Sequence, residues 1–261
     1  MELDARKRTI LRLVIESYIE DAQPVSSSVI ARELKTLATT RASDRTETWS
    51  SATIRNVMAE LEVDGYLAQP HTSAGRVPTE KGLRFYLNDL MSPKLHPWDR
   101  TRLDEVAANV DAVYLPTALG QSLAGLSRLV ALIALPGFMN GRFRSLVVEG
   151  TIHLIEQPEF ADIGKLKTLV RAIEDEAAVQ ALLDKLVESP TAPQCDSVRV
   201  ILASEHEASD LDVAFVGRSW VNPAGQQATV SILGPRRMDF GRLVALVDYA
   251  SHLLGKYWER I

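Results

Sequence analysis

The stretch from Ser50 to Leu90 constrains this chain most. Ser50 and Ser51 offer capping hydroxyls ahead of a run in which Ile54, Val57, Met58 and Leu61 recur at i, i+3, i+4 and i+7. That spacing is the buried face of an amphipathic helix. Gly65 supplies the left-handed residue that ends it, and Tyr66 is placed to fold back in a Schellman contact. Tyr66 to Pro70 and Arg76 to Pro78 read as short strands around a turn-rich tip, His71-Thr72-Ser73-Ala74-Gly75. Thr79 then caps another helix, from Glu80 to about Met91, with Leu83, Tyr86, Leu87 and Leu90 on one stripe. Two helices precede this stretch. The first carries Leu11, Val14, Ile15, Tyr18 and Ile19 at helical spacing; the second runs from Ser28 to about Leu37 behind Ser26-Ser27, with Ile30 and Leu34 turned inward. Three helices and then a hairpin make a winged helix-turn-helix, which places residues 1–91 in a DNA-binding domain.

In that plan the third helix packs one face on the core and offers the other to the major groove, its first turns nearest the base edges. The outward residues are Ser50, Ser51, Thr53, Arg55 and Asn56. Arg pairs with guanine O6 and N7, Asn with adenine N6 and N7, and hydroxyls reach phosphates or bases. A solvated helix face looks the same when taken alone, so the charge distribution matters. The net charge is -5 over 261 residues, which excludes broad, nonspecific coating of nucleic acid. Any DNA contact must come from a local patch. The wing supplies candidates: His71, Thr72, Ser73, Gly75, Arg76 and Lys81, with Arg84 nearby and Glu80 the lone acid. Gly75 would let the backbone approach the duplex, and Arg76 would enter a minor groove or hold a phosphate.

The proline-bounded segment 92–98, Ser92-Pro93-Lys94-Leu95-His96-Pro97-Trp98, reads as a linker. Residues 99–261 mix patterns. Thr117–Leu126 is helical behind Pro116, Leu129–Leu135 and Phe143–Val148 are strands, and Phe160–Leu186 gives one or two helices with Leu166, Leu169, Val170 and Ile173 on one face. Strands follow over Val198–Ala203, Val213–Val216 and Ala228–Leu233, before a last helix from about Asp239 to Trp258. The domain is α+β. A single cysteine, Cys195, in a loop, excludes a disulfide framework, and the charged N-terminus with no long apolar run points to the cytoplasm. Phosphate-loop, dinucleotide and zincin motifs are missing, so no enzyme, cofactor or metal is expected. Glu205-His206-Glu207, the one compact set of potential ligands, reads as a solvated loop.

The run Ser51–Glu62, followed by Gly65–Tyr86, resembles the heat-inducible transcription repressors of bacteria, the HrcA family. Val148-Glu149-Gly150, Gln157–Asp162, Leu233–Phe240 and Ala245–Tyr249 are similar to that family's effector domain. The resemblance implies a winged domain followed by a shortened GAF-like α+β domain with effector and dimerisation roles. It also implies a homodimer on an inverted-repeat operator of chaperone genes, release on heat, and a chaperonin that keeps the repressor active. Three departures stand out. Val57 replaces an acid usual in the family. Leu37–Trp49 is a longer connection than usual, with Arg41 and Arg45 near its tip. Residues 136–142 replace further strands and an inserted dimerisation domain. A repressor that answers a small molecule and a degenerate, non-enzymatic family member are the alternatives.

Overall fold

The computed structural model describes residues 3–40, 49–71, 75–136, 143–175, 177–179, 181, 183, 194–195, 198–202, 213–221 and 227–258. They belong to two units, Met1–Met91 and Ser92–Ile261.

In the first unit Asp4 caps helix α1 (Ala5–Asp21) by accepting the Lys7 N–H, and the helix ends on Ala22 in the left-handed region. Ile10, Leu11, Val14 and Ile15 are fully buried, whereas Tyr18 and Ile19 are half-buried at the margin of the stripe. Helix α2 (Ser27–Thr40) starts behind Ser26 and outlasts its expected end at Leu37. Helix α3 (Ser51–Val63) buries Ile54, Val57, Met58 and Leu61. Val57 thus fills the core, which is why an apolar residue suits this position here. Beyond Asp64, Gly65 takes φ +78, its N–H reaches Glu62 O and the Tyr66 N–H reaches Leu61 O at 2.8 Å. These are the paired bonds of a Schellman ending.

The wing is a hairpin of β1 (Leu67–Ala68) and β2 (Val77–Pro78), with Leu67 opposite Pro78. Sequence periodicity does not signal a third strand, yet Val25 and Arg76 exchange N–H···O bonds of 2.8 Å each and tie the α1–α2 turn to the wing. Thr79 caps α4 (Glu80–Phe85), whose continuation over Tyr86–Leu90 widens to π geometry. Leu83, Tyr86 and Leu87 close the core and Leu90 sits half-exposed.

The second unit is an α+β fold. Among the described residues its six strands, all antiparallel, are β3 (Val130–Pro136), β4 (Phe143–Glu149), β5 (Gln194–Cys195), β6 (Val198–Leu202), β7 (Val213–Val221) and β8 (Gln227–Pro235). Their order is β4-β3-β8-β7-β6-β5. Helices α5 (Pro97–Asn109), α6 (Leu115–Ser127) and α8 (Phe240–Trp258) form one flank, with α6 against β3 and β4 and α8 against β7 and β8. Helix α7 (Ile163–Glu174), capped by Asp162, covers the other face over Leu132, Phe215 and Leu233. The central strand β3 is apolar throughout because helices lie on both sides of it.

Three expectations need correction. Pro97 and Trp98 are not linker but the first turn of α5, Pro97 at a position where its missing N–H costs nothing. Cys195 lies in the short strand β5 opposite Val198 and not in a loop. Strand β7 runs to Val221, five residues past Val216, because Gly217-Arg218-Ser219 still pair with β8 although they break the apolar run.

Candidate nucleic-acid interface

The first turn of α3 is built from hydroxyls. Ser50 accepts the Thr53 N–H at 3.1 Å, and the two hydroxyls lie 2.9 Å apart. Ser51 Oγ is 3.0 Å from Ser27 Oγ, which fastens the start of α3 to the start of α2. Arg55 and Asn56, one turn on, are exposed, and among the described residues neither side chain has a hydrogen bond or ion pair. The amides of this terminus and its partial positive charge favour an anion. Trp49, just ahead of Ser50, lies under the Arg6 guanidinium at 5.1 Å, so α1 also braces this end.

The wing cations are placed differently from expectation. Arg76 Nε is 2.7 Å from Glu62 on α3, a charge contact without hydrogen-bond direction, and its side chain is only 18% exposed. Arg84 donates from Nε and Nη2 to Glu80. Lys81 donates to Asp64 O at 2.7 Å and sits 4.4 Å over the Tyr66 ring. Its charge therefore caps the far end of a 13-residue helix, about 20 Å from the first turn at 1.5 Å per residue. Lys7 joins it there, 2.9 Å from Asp64 and 3.2 Å from Glu60, and those carboxylates hold its pKa above the ordinary lysine value. Gly75 has an internal reason: a Cβ would lie 2.3 Å from Val25 O. His71 is exposed at the described end of the wing, whereas Thr72 and Ser73 lie outside the described residues.

What sequence reasoning missed is on α2. Ser28, Arg32, Lys35 and Thr39 are exposed and recur at i, i+4, i+7 and i+11, a stripe without an acid. Glu33, which would dilute it, instead accepts the Ser17 hydroxyl at 2.6 Å on the inner side. The signal was legible as a helical period of cations and hydroxyls on a helix that crosses the DNA backbone in this motif. Arg41 and Arg45, like Glu205-His206-Glu207, lie outside the described residues. Among the described residues no group of three His, Cys, Asp or Glu is placed to hold a metal, and no helix is long and apolar enough to cross a membrane.

In the second unit, two segments that carry the family resemblance meet. Arg237 donates to Glu159 through Nε and to Gln157 at 3.1 Å, with Phe160 and Phe240 buried.

The heat-inducible transcription repressor HrcA of Desulforudis audaxviator (strain MP104C) is 25% identical over 360 aligned residues, covering 100% of this chain and 99% of the relative. That of Chlorobium chlorochromatii (strain CaD3) is 28% identical over 350 residues, with 95% of each covered. Both alignments exceed the 261 residues present, so the relatives carry residues this chain lacks. A crystal structure described only as that of a hypothetical protein shares the fold, with a TM-score of 0.71 at 18% identity over 99% of both chains. The profile of the HrcA protein C terminal domain matches residues 98–244, more than half of the sequence, and the chain belongs to the HrcA family of heat-inducible transcription repressors.

Proposed function

We propose that this chain is a cytoplasmic, DNA-binding transcription repressor of heat-shock chaperone genes, which holds an inverted-repeat operator as a homodimer and releases it on heating. The observation that carries the reading is the exposed pair Arg55 and Asn56 on α3, without a side-chain partner among the described residues, beside the Ser28-Arg32-Lys35 stripe of α2. In this reading Arg55 and Asn56 read base edges. Ser50, Ser51 and Thr53 shape the helix start and bind phosphate there. Arg32 and Lys35 take further phosphates. His71, Thr72, Ser73 and Arg76 bring the wing to the neighbouring groove, with Gly75 and Lys81 setting its position. No step involves covalent chemistry.

Release needs only loss of the folded, paired state, since half an operator held by one winged domain buries little surface. A chaperonin that refolds the chain would raise the active fraction by mass action. The test is binding to the chain's own upstream DNA at rising temperature, with and without chaperonin. Tight, sequence-selective binding at low temperature, lost over the melting range and recovered faster with chaperonin, is the expected result. Sequence-blind binding at all temperatures would overturn the reading.

A further inference from the structure

Helices α5 and α6 of the second unit are joined through residues 110–114 and pack side by side as an antiparallel pair. On the core side the pair is closed by Leu103, Leu115, Leu119 and Leu123, each fully buried. On the outer side the two helices leave a cleft of about 330 Å³. Helix α6 lines it with Ala118, Ser122 and Gly125, small residues at i, i+4 and i+7, and with Leu126; α5 supplies Val106 and, one turn before it, Arg102. Packing accounts for neither Gly125 nor Ser122. Gly125 lies inside a helix, where glycine is less favourable than alanine. Its φ is not positive, and a Cβ there would meet no heavy atom within 4 Å among the described residues. Ser122 is half-buried, yet its hydroxyl has no hydrogen bond among the described residues. Other helical hydroxyls of this unit, Thr101 and Ser251, donate to the carbonyl four residues before.

We propose that this cleft binds a small aliphatic carboxylic acid, its carboxylate on Arg102 and Ser122 and its chain along Val106, Ala118, Gly125 and Leu126. The site belongs to the second unit alone and stands apart from DNA binding. Arg102 is the only charged residue in the cleft wall, which selects an anion, and the donor fork of a guanidinium matches a carboxylate. Its present partner, Glu105 at 3.4 Å, is outside the wall, and both side chains of the pair are more than half exposed. Such a surface pair contributes little and yields to a ligand. Gln121, the other polar residue of the wall, already donates to Glu149 at 3.4 Å. The rest of the wall is aliphatic, without an aromatic ring on which a planar ligand would stack. The volume lies near the small end of ligand pockets, which begin at roughly 300 Å³. At the roughly 30 Å³ that a water takes up in the liquid it holds about 11 water-sized groups, close to the size of octanoate.

Titration calorimetry of the full chain with octanoate tests this, with acetate and octylamine as controls. The expected result is saturable one-to-one binding of octanoate, much weaker binding of acetate, which lacks the chain, and none of octylamine, which carries the wrong charge. Arg102→Gln should weaken octanoate about tenfold or more. Glu105→Gln should tighten it about two- to fivefold by freeing the guanidinium. Gly125→Leu fills the cleft from its own wall and should abolish binding while the thermal midpoint holds or rises, since leucine favours the helix. Should Gly125→Leu fail to fold, Ala118→Leu fills the same cleft and takes its place. Absence of saturable octanoate binding overturns the proposal. So does octanoate binding that survives Arg102→Gln and the filling variant unchanged, because the acid then sits elsewhere. Neither outcome bears on the repressor reading, which DNA titration of the same parent decides.

Discussion

Gly75 and Arg55 show how one residue type can be read two ways. Glycine beside arginine in a wing suggests close approach to DNA, but here the close approach is internal, since Val25 O occupies the place a Cβ would take. Val25 and Gly75 are remote in sequence, and no local pattern announces their contact. Gly75→Ala should therefore cost stability, about 1–3 kcal/mol as for other overpacked sites. Thermal unfolding would check it; an unchanged melting temperature would show that the wing moves aside freely. Arg55 is the reverse case, for the helical period alone places it outward and the structure leaves it there without a partner among the described residues. Arg55→Ala should lose about 1–3 kcal/mol of operator affinity and flatten the preference at one base pair, with stability unchanged. Gel shifts on an operator series measure both, and a variant as tight and selective as the parent sinks the base-reading role.

At the scale of elements, legibility followed apolar periodicity. The helices α1, α3 and α8 and the strands β3, β4 and β8 carry clear stripes or runs, and their sequence patterns located them. Helix α5 does not. Only Leu103 is fully buried among its apolar residues, and the helix is anchored instead by Asp99, 1% exposed, which accepts from Arg242 Nε at 2.7 Å and Nη2 at 2.8 Å on α8. A bond between residues so far apart in sequence leaves no trace in either local pattern. The carboxylate raises the Arg242 pKa further above its ordinary value, so this guanidinium stays charged at any pH of interest. Asp99 is buried but Arg242 is 31% exposed, so water can hydrate the guanidinium left behind and Asp99→Ala should cost about 1.5–3 kcal/mol, as for a hydrogen-bonded charged group. The measurement is chemical denaturation, where a midpoint lowered with α5 loosened is expected and an unchanged midpoint would mean that Leu103 alone holds the helix. The wing taught the opposite lesson. Arg76, Lys81 and Arg84 read in sequence as a local cationic patch, but Glu62, Asp64 and Glu80 compensate or engage them, a pairing that a count of charges over a segment does not reveal.

For the whole molecule the question is how a chain of net charge -5 attracts a polyanion. If the wing cations are largely spoken for, the work falls to α2, where Arg32 and Lys35 are exposed on a stripe without an acid, and to the start of α3, where Arg55 is exposed. Such a patch is small, and one copy would bind weakly at moderate salt. Two copies on a two-fold operator double the number of phosphates neutralised while leaving the net charge per copy unchanged. This makes the salt dependence a direct count. Each phosphate contact contributes about -0.9 to the slope of log affinity against log salt. Lys35→Gln removes one contact per copy, so it should reduce the slope by about 2 if the operator complex holds two copies and by about 1 if it holds one. Because the substitution touches no base, the loss of affinity should be uniform across operator variants, unlike that of Arg55→Ala. A titration series between low and moderate salt, run on parent and variant with the same duplexes, separates these outcomes. An unchanged slope would remove Lys35, and with it the α2 stripe, from the interface and return the burden to the wing.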